Sequence, residues 1–312
     1  MLKFSRRKLM QWAGKGALGS FFLGGLFGRR ASAQSVPFVD LSLAGVTDAT
    51  PRGTGLHLLD QMGRIFTLGT APPLDDASII PCVHPSPYVA MVRMPAISPF
   101  GYGPGGLVTL TADGQFHAFG IFEFKGGLEN LLTRTSPLPV QPLPLVALAV
   151  HPNGQGLWAL DLMGRLRAFG GATDFGPGTF DPCYRPSPYV GLVPTLSGGG
   201  LYALTQNGQI RTFGAAPVLG DGTLDPCVIP APFVALAITP TGAGLWALDL
   251  LGKVRTLGTT TPLGDGAMDP CVQPTPYVAM VPTPSGDGLY ALTLSGQLQT
   301  FGDAQNFSTT PR

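Results

Sequence analysis

Charge is what this 312-residue chain has least of: Asp, Glu, Lys and Arg together make up 12% of it, and glutamate occurs only as Glu123 and Glu129. Histidine and cysteine number four each. There is no G-x-S-x-G, no phosphate-cradling glycine loop ending in Lys-Ser/Thr, and no C-x-x-C or Cys/His pair at zinc spacing. The common signatures of serine hydrolases, nucleotide enzymes and structural zinc sites are therefore missing. No basic run follows residue 30, which argues against nucleic acid as a partner. Disorder is excluded as well, because it needs few apolar residues and a high net charge, whereas 44% of this chain is hydrophobic.

What is present begins with an export signal. "SRRKLM" places Arg6 and Arg7 ahead of a modest apolar run, Ala17 to Phe27, and "ASA" before Gln34 supplies a small-residue cleavage site. Residues 1–33 thus resemble a twin-arginine signal peptide, which implies a periplasmic or extracellular address. The run is short and glycine-rich against the ~20 residues of a membrane span, so no integral span is expected in the mature chain. Cleavage removes seven basic residues and no acid, leaving 12 basic against 18 acidic residues and a net charge of −6. The rest is long enough for a sizeable core.

Glycine (44) and proline (32) are abundant and evenly spread, the turn punctuation of an all-β chain. A repeat organises them. Gly55, Gly106, Gly156, Gly200, Gly244 and Gly288 each open a Gly-Leu phrase, or Gly-Leu's equivalent, that ends 14 residues later at Gly69, Gly120, Gly170, Gly214, Gly258 and Gly302. The last four copies recur every 44 residues. Each copy reads as three strands: an aliphatic run such as "VALAV" (Val146 to Val150), a Pro/Gly turn and "LWALD", then a tight turn and "RLRAFG". A Pro-rich connection leads to the next copy and has room for a short fourth strand.

One such sheet cannot bury two apolar faces alone, and stacked copies can. The period and strand count predict a six-bladed β-propeller over 34–302, with 303–312 as a tail; a threefold β-prism is the alternative architecture. The copies alternate, with "LDQMGR", "LDLMGR" and "LDLLGK" in the odd ones and "LTADGQ", "LTQNGQ" and "LTLSGQ" in the even ones. An 88-residue pair, present three times, is the underlying unit. The phrase "TPTGAGLWALDLLGKVRTLG" resembles secreted bacterial propeller-type repeats that read roughly G-Y-W-L-V-A-x-D-G-G-V-F-A-F-G. Arg165 and Gln209 stand where that pattern has its second glycine. The resemblance implies a propeller outside the cytoplasm with a role at the cell envelope, and it brings no catalytic residues or cofactor.

Several residues invite a chemical reading. Cys82, Cys183, Cys227 and Cys271 share one place in the connections; free thiols, a disulfide or a metal ring are the readings open to them, and the spacing supports no zinc site. Asp60, Asp161 and Asp249 begin the second hairpin turn and alternate with Thr111, Thr205 and Thr293, which points to side-chain capping of turn N–H groups. Asp221, Asp225, Asp265 and Asp269 offer carboxylates to calcium, or Asx-turns before proline. His57, His84, His117 and His151 fall at unrelated places, as structural or surface residues do.

Departures from a repeat are where function concentrates. From the first-strand valine to the Gly-Leu glycine is 10 residues in copies three to six, 16 in copy one (Val39 to Gly55) and 17 in copy two (Val89 to Gly106). Copy two is also longer after its third strand, 26 residues from Gly120 to Val146 against 20 elsewhere. That insertion holds Glu123, Phe124, Lys125 and Glu129, with Leu128, Leu131 and Leu132 at helical spacing, and Phe100 and Tyr102 lie in the preceding enlarged loop. These residues form the expected binding patch for a protein or cell-envelope component. The expected function is a non-enzymatic scaffold; the alternative is a six-bladed hydrolase, lactonase or dehydrogenase working through a central channel.

Overall fold

Every sheet is built on the same hairpin logic. In the computed structural model, residues 36–43, 55–71, 86–94, 106–119, 144–154, 156–176, 187–220, 231–263 and 275–307 are described. The chain divides into two units, Met1–Ser35 and Val36–Arg312, and all the described residues belong to the second. They are all-β, in six three-stranded antiparallel sheets. Sheet one is β1 (Phe38–Leu43), β2 (Gly55–Asp60) and β3 (Ile65–Gly69); sheet two is β4 (Tyr88–Arg93), β5 (Leu107–Thr111) and β6 (Phe116–Phe119). Sheet three is β7 (Leu145–Val150), β8 (Gly156–Asp161) and β9 (Leu166–Gly170); sheet four is β10 (Tyr189–Pro194), β11 (Gly200–Thr205) and β12 (Ile210–Gly214). Sheet five is β13 (Phe233–Ile238), β14 (Gly244–Asp249) and β15 (Val254–Gly258); sheet six is β16 (Tyr277–Pro282), β17 (Gly288–Thr293) and β18 (Leu298–Gly302). In each sheet the middle strand pairs with both neighbours in sequence order.

The repeated glycines have steric causes. Gly156 opens β8 where a Cβ would overlap the backbone of Ala172, so the connection leaving β9 can lie against the strand. Gly164 closes the second turn at φ 85°, in the left-handed region that suits glycine. A side chain there would also overlap the Tyr189 ring of the next sheet.

Each first strand carries a β-bulge between its first and third residues, for example Phe38/Asp40, Tyr88/Ala90 and Tyr189/Gly191. The extra residue is always valine, and Val39, Val146 and Val234 pack toward the following sheet. From that point the strand alternates. Ala147 and Ala149 face forward to sheet four, while Leu148 and Val150 face back to sheet two.

The core accordingly lies between sheets. Six hydrophobic clusters each join two consecutive ones, such as Val108, Leu110 and Phe116 of sheet two with Leu145, Leu148 and Leu157 of sheet three. Sheet six meets sheet one in the same way: Ala279, Tyr290 and Leu292 pack with Phe38, Leu41, Leu56 and Leu58. Backbone bonds accompany the packing. Tyr189 N donates to Leu162 O (3.1 Å), Tyr277 N to Leu250 O (3.1 Å) and Phe38 N to Leu294 O (3.0 Å), so each of these first strands is tied to the second turn of another sheet.

Candidate functional site: the polar seam between sheets one and two

Three positions of the first strand decide what fills a seam. The third and fifth residues face forward and the sixth residue of the next first strand faces back. Between sheets two and three these are Ala90, Val92 and Val150; between four and five, Gly191, Val193 and Ile238; between five and six, Ala235, Ala237 and Pro282. Between sheets six and one they are Ala279, Val281 and Leu43. Between sheets one and two they are Asp40, Ser42 and Arg93.

The middle strand repeats this departure. The residue two after the repeat's opening glycine faces forward and is Val108, Trp158, Tyr202, Trp246 or Tyr290 in sheets two to six. In sheet one it is His57, paired in register with Ser42. One seam therefore collects an acid, a serine hydroxyl, an imidazole and a guanidinium, while the corresponding places elsewhere hold aliphatic residues, glycine or proline and, in the middle strand, valine, tryptophan or tyrosine.

Asp40 bridges the two sheets. Its Oδ1 accepts from Leu41 N at 2.7 Å and its Oδ2 from Met91 N, on β4, at 2.6 Å. The residue keeps part of its surface exposed but its carboxylate is sunk between the sheets, and this desolvation outweighs the two N–H donors and raises its pKa to about 7. Arg93 extends the other way, Nη1 donating to Leu43 O at 3.4 Å, and burial lowers its pKa. Among the described residues the single ion pair is Arg64–Asp60, so Asp40 and Arg93 share a seam without closing on each other. Leu43 and Arg93 end their strands, which puts their contact where the two enlarged loops, 44–54 and 95–105, begin.

Beside Thr109 and His117, the rest of the seam is Leu59, Tyr88, Met91, Leu107 and Phe119, with Val39 and Ile65 against them. The Tyr88 ring meets His117 at 5.5 Å, and burial, then the Asp113 charge, pushes the Tyr88 hydroxyl up to about 12. Ser42 is 8% and His57 1% exposed, so neither presents a reactive atom to a substrate. No group of three His, Cys, Asp or Glu side chains able to hold a metal occurs among the described residues.

The turn residues have defined partners. Asp60 Oδ1 accepts from Met62 N and Arg64 N (3.0 and 2.9 Å), Asp161 Oδ1 from Met163 N and Arg165 N (2.9 and 2.8 Å), and Asp249 Oδ1 from Leu251 N and Lys253 N (2.9 and 2.8 Å). In even sheets Thr111, Thr205 and Thr293 accept through Oγ1 from Gln115 N, Gln209 N and Gln297 N. Burial raises the Asp249 pKa against the turn N–H groups and Arg255. His151 turns its Nδ1 to Asn153 N and its ring to Trp158, 5.2 Å away.

Phe100, Tyr102, Glu123, Phe124, Lys125 and Glu129 lie outside the described residues, as do Cys82, Cys183, Cys227 and Cys271, the four calcium-candidate aspartates and the Leu128–Leu132 segment. Of the seam residues only His57 stands out in the sequence, as a structural or surface histidine; Asp40, Ser42 and Arg93 do not, Asp40 being one acid among 18. The signal is there once the first strands are superposed, since Asp40 stands over Ala90, Ala147, Gly191, Ala235 and Ala279. No protein-family model matches the chain, and no curated protein matches it.

Proposed function

We propose that residues 34–302 close into a six-bladed β-propeller that is exported and serves as a non-enzymatic scaffold. In this reading it holds a protein or cell-envelope component on the enlarged loops of blades one and two. Closure is supported by the packing of sheet six on sheet one through the same positions that join the other sheets, and by the Phe38–Leu294 bond. Export rests on the paired Arg6 and Arg7 and the "ASA" site. No helix among the described residues is long and apolar enough to cross a membrane.

The observation that carries the binding reading is that the departures from the repeat fall together. The two long loops, the insertion after β6 and the polar seam all belong to sheets one and two, whereas drift without function would scatter them over all six. Phe100 and Tyr102 supply the aromatic contacts that interfaces favour.

The test compares mature wild-type protein with a variant lacking residues 97–104, each immobilised and exposed to envelope extract. Capture is expected to vanish in the variant while its melting temperature stays near that of the wild type. Equal capture by both would overturn the assignment. Small-angle scattering that fits an open, extended row of sheets better than a closed disc would overturn the propeller.

A further inference from the structure

The carboxylate of Asp40 bonds across the boundary between two sheets: it reaches from β1 to Met91 N on β4, while the Arg93 guanidinium crosses the same boundary the other way to Leu43 O. Where the other first strands place alanine or glycine, this seam holds an acid between packed sheets with no cation within ion-pair distance among the described residues. Such a group is stable in the seam when neutral. When ionised it must be rehydrated or leave the seam under strain.

We propose that Asp40 is a proton-operated latch: neutral, it lets the first and second sheets stay pressed together at the root of the two enlarged loops, and ionised, it draws water in and loosens that root. The device concerns the seam itself and does not depend on what the loops bind.

The surroundings of Asp40 leave it in control. From β2, His57 faces the same seam, and Asp60 stands at the far end with both turn N–H groups and Arg64 on it. From β4, Tyr88 stays neutral because burial raises its pKa, and Arg93 points away to Leu43 O. On the opposite side of β1, β17 brings Tyr290, its pKa raised by burial. From β6, His117 faces the seam too, with its ring against Tyr88, so the imidazoles that share the seam with Asp40 are His57 and His117.

The sign follows from linkage. The folded pKa of Asp40, about 7, lies above the ordinary 3.8. Its contribution to stability is therefore complete below about pH 4 and is lost as pH rises through about 7.

The test uses the full mature chain and three proteins: wild type, Asp40→Ala, whose side chain the other first strands already accommodate, and Asp40→Asn, which keeps an acceptor for Met91 N without a charge. Melting temperature is followed from about pH 5 to about pH 8, with amide-exchange protection of residues 86–94 corrected for the intrinsic rate. Wild type should melt several degrees lower at the upper end, and protection in that segment should fall about tenfold. Both variants should show profiles nearly flat in this window. Superimposable profiles for wild type and either variant would overturn the latch. Loss of protection that persists in Asp40→Ala would do the same, by assigning the transition to the imidazoles of His57 and His117.

Discussion

Sheets three to six and sheets one and two solve the same packing problem differently. In the first group the third residue of the middle strand is Trp158, Tyr202, Trp246 or Tyr290, fully buried, with its polar tip bonded 15 residues ahead: Trp158 Nε1 to Thr173 O at 2.8 Å, Tyr202 OH to Pro217 O at 2.9 Å, and Trp246 Nε1 to Thr261 O at 3.3 Å. Tyr290 OH accepts from Gln305 N at 3.1 Å. A large amphipathic ring fills the seam and its one polar atom pins the connection that leaves the sheet. Sheets one and two have His57 and Val108 there, and the connection after sheet two is the one that holds Glu123, Phe124, Lys125 and Glu129 of the expected binding patch. Sheets three to six carry this pin in one form, and sheets one and two, with a smaller residue at the place, are the ones whose loops differ in length.

The largest effect that would sharpen this contrast is removal of a pinning ring. Trp246→Ala should cost roughly 3–5 kcal/mol, whereas Val108→Ala, with less volume and no bond to lose, should cost clearly less. Urea denaturation of the two variants measures the difference, and equal costs would erase the division between sheets three to six and the first two.

Turn capping gives a smaller effect that should be common to both regions. Asp161→Ala strips two N–H groups of a charged acceptor and should cost about 2–3 kcal/mol. Asp161→Thr, which imports the solution of the even sheets, should fall within ~1 kcal/mol of wild type, again by urea denaturation. At the bottom of the scale stands Arg93→Leu. It replaces a partly buried cation by the kind of residue found at Leu43 and Ile238, and a change of under ~1 kcal/mol in either direction is expected. A large loss there would mean that the polar seam holds the fold together in a way the apolar seams do not.

The architecture was legible because it is written six times. A fixed 14-residue phrase with invariant glycines points to three strands, and the steric overlaps at Gly156 and Gly164 show why no other residue fits. The Asp/Thr alternation was legible too, since both side chains can accept from the same turn N–H groups. The polar seam was not. Asp40, Ser42, His57 and Arg93 are scattered over 54 positions of sequence, and what unites them is the bulge at Val39, which turns residue 40 toward sheet two. Simple alternation from Phe38 does not reveal that. His57 reads as an isolated histidine until the middle strands are superposed and it falls on the tryptophan and tyrosine column.

The bulged valine also gives every sheet two unlike sides: a front that offers the valine with residues three and five, and a back that offers residues four and six. Contacts of this kind are head-to-tail, so a piece of the chain keeps one unused front and one unused back that match each other. An excised two-sheet fragment should accordingly find its own copies, and three of them would carry as many sheets as the whole chain; the same property makes truncated or half-translated product prone to joining a neighbour's stack.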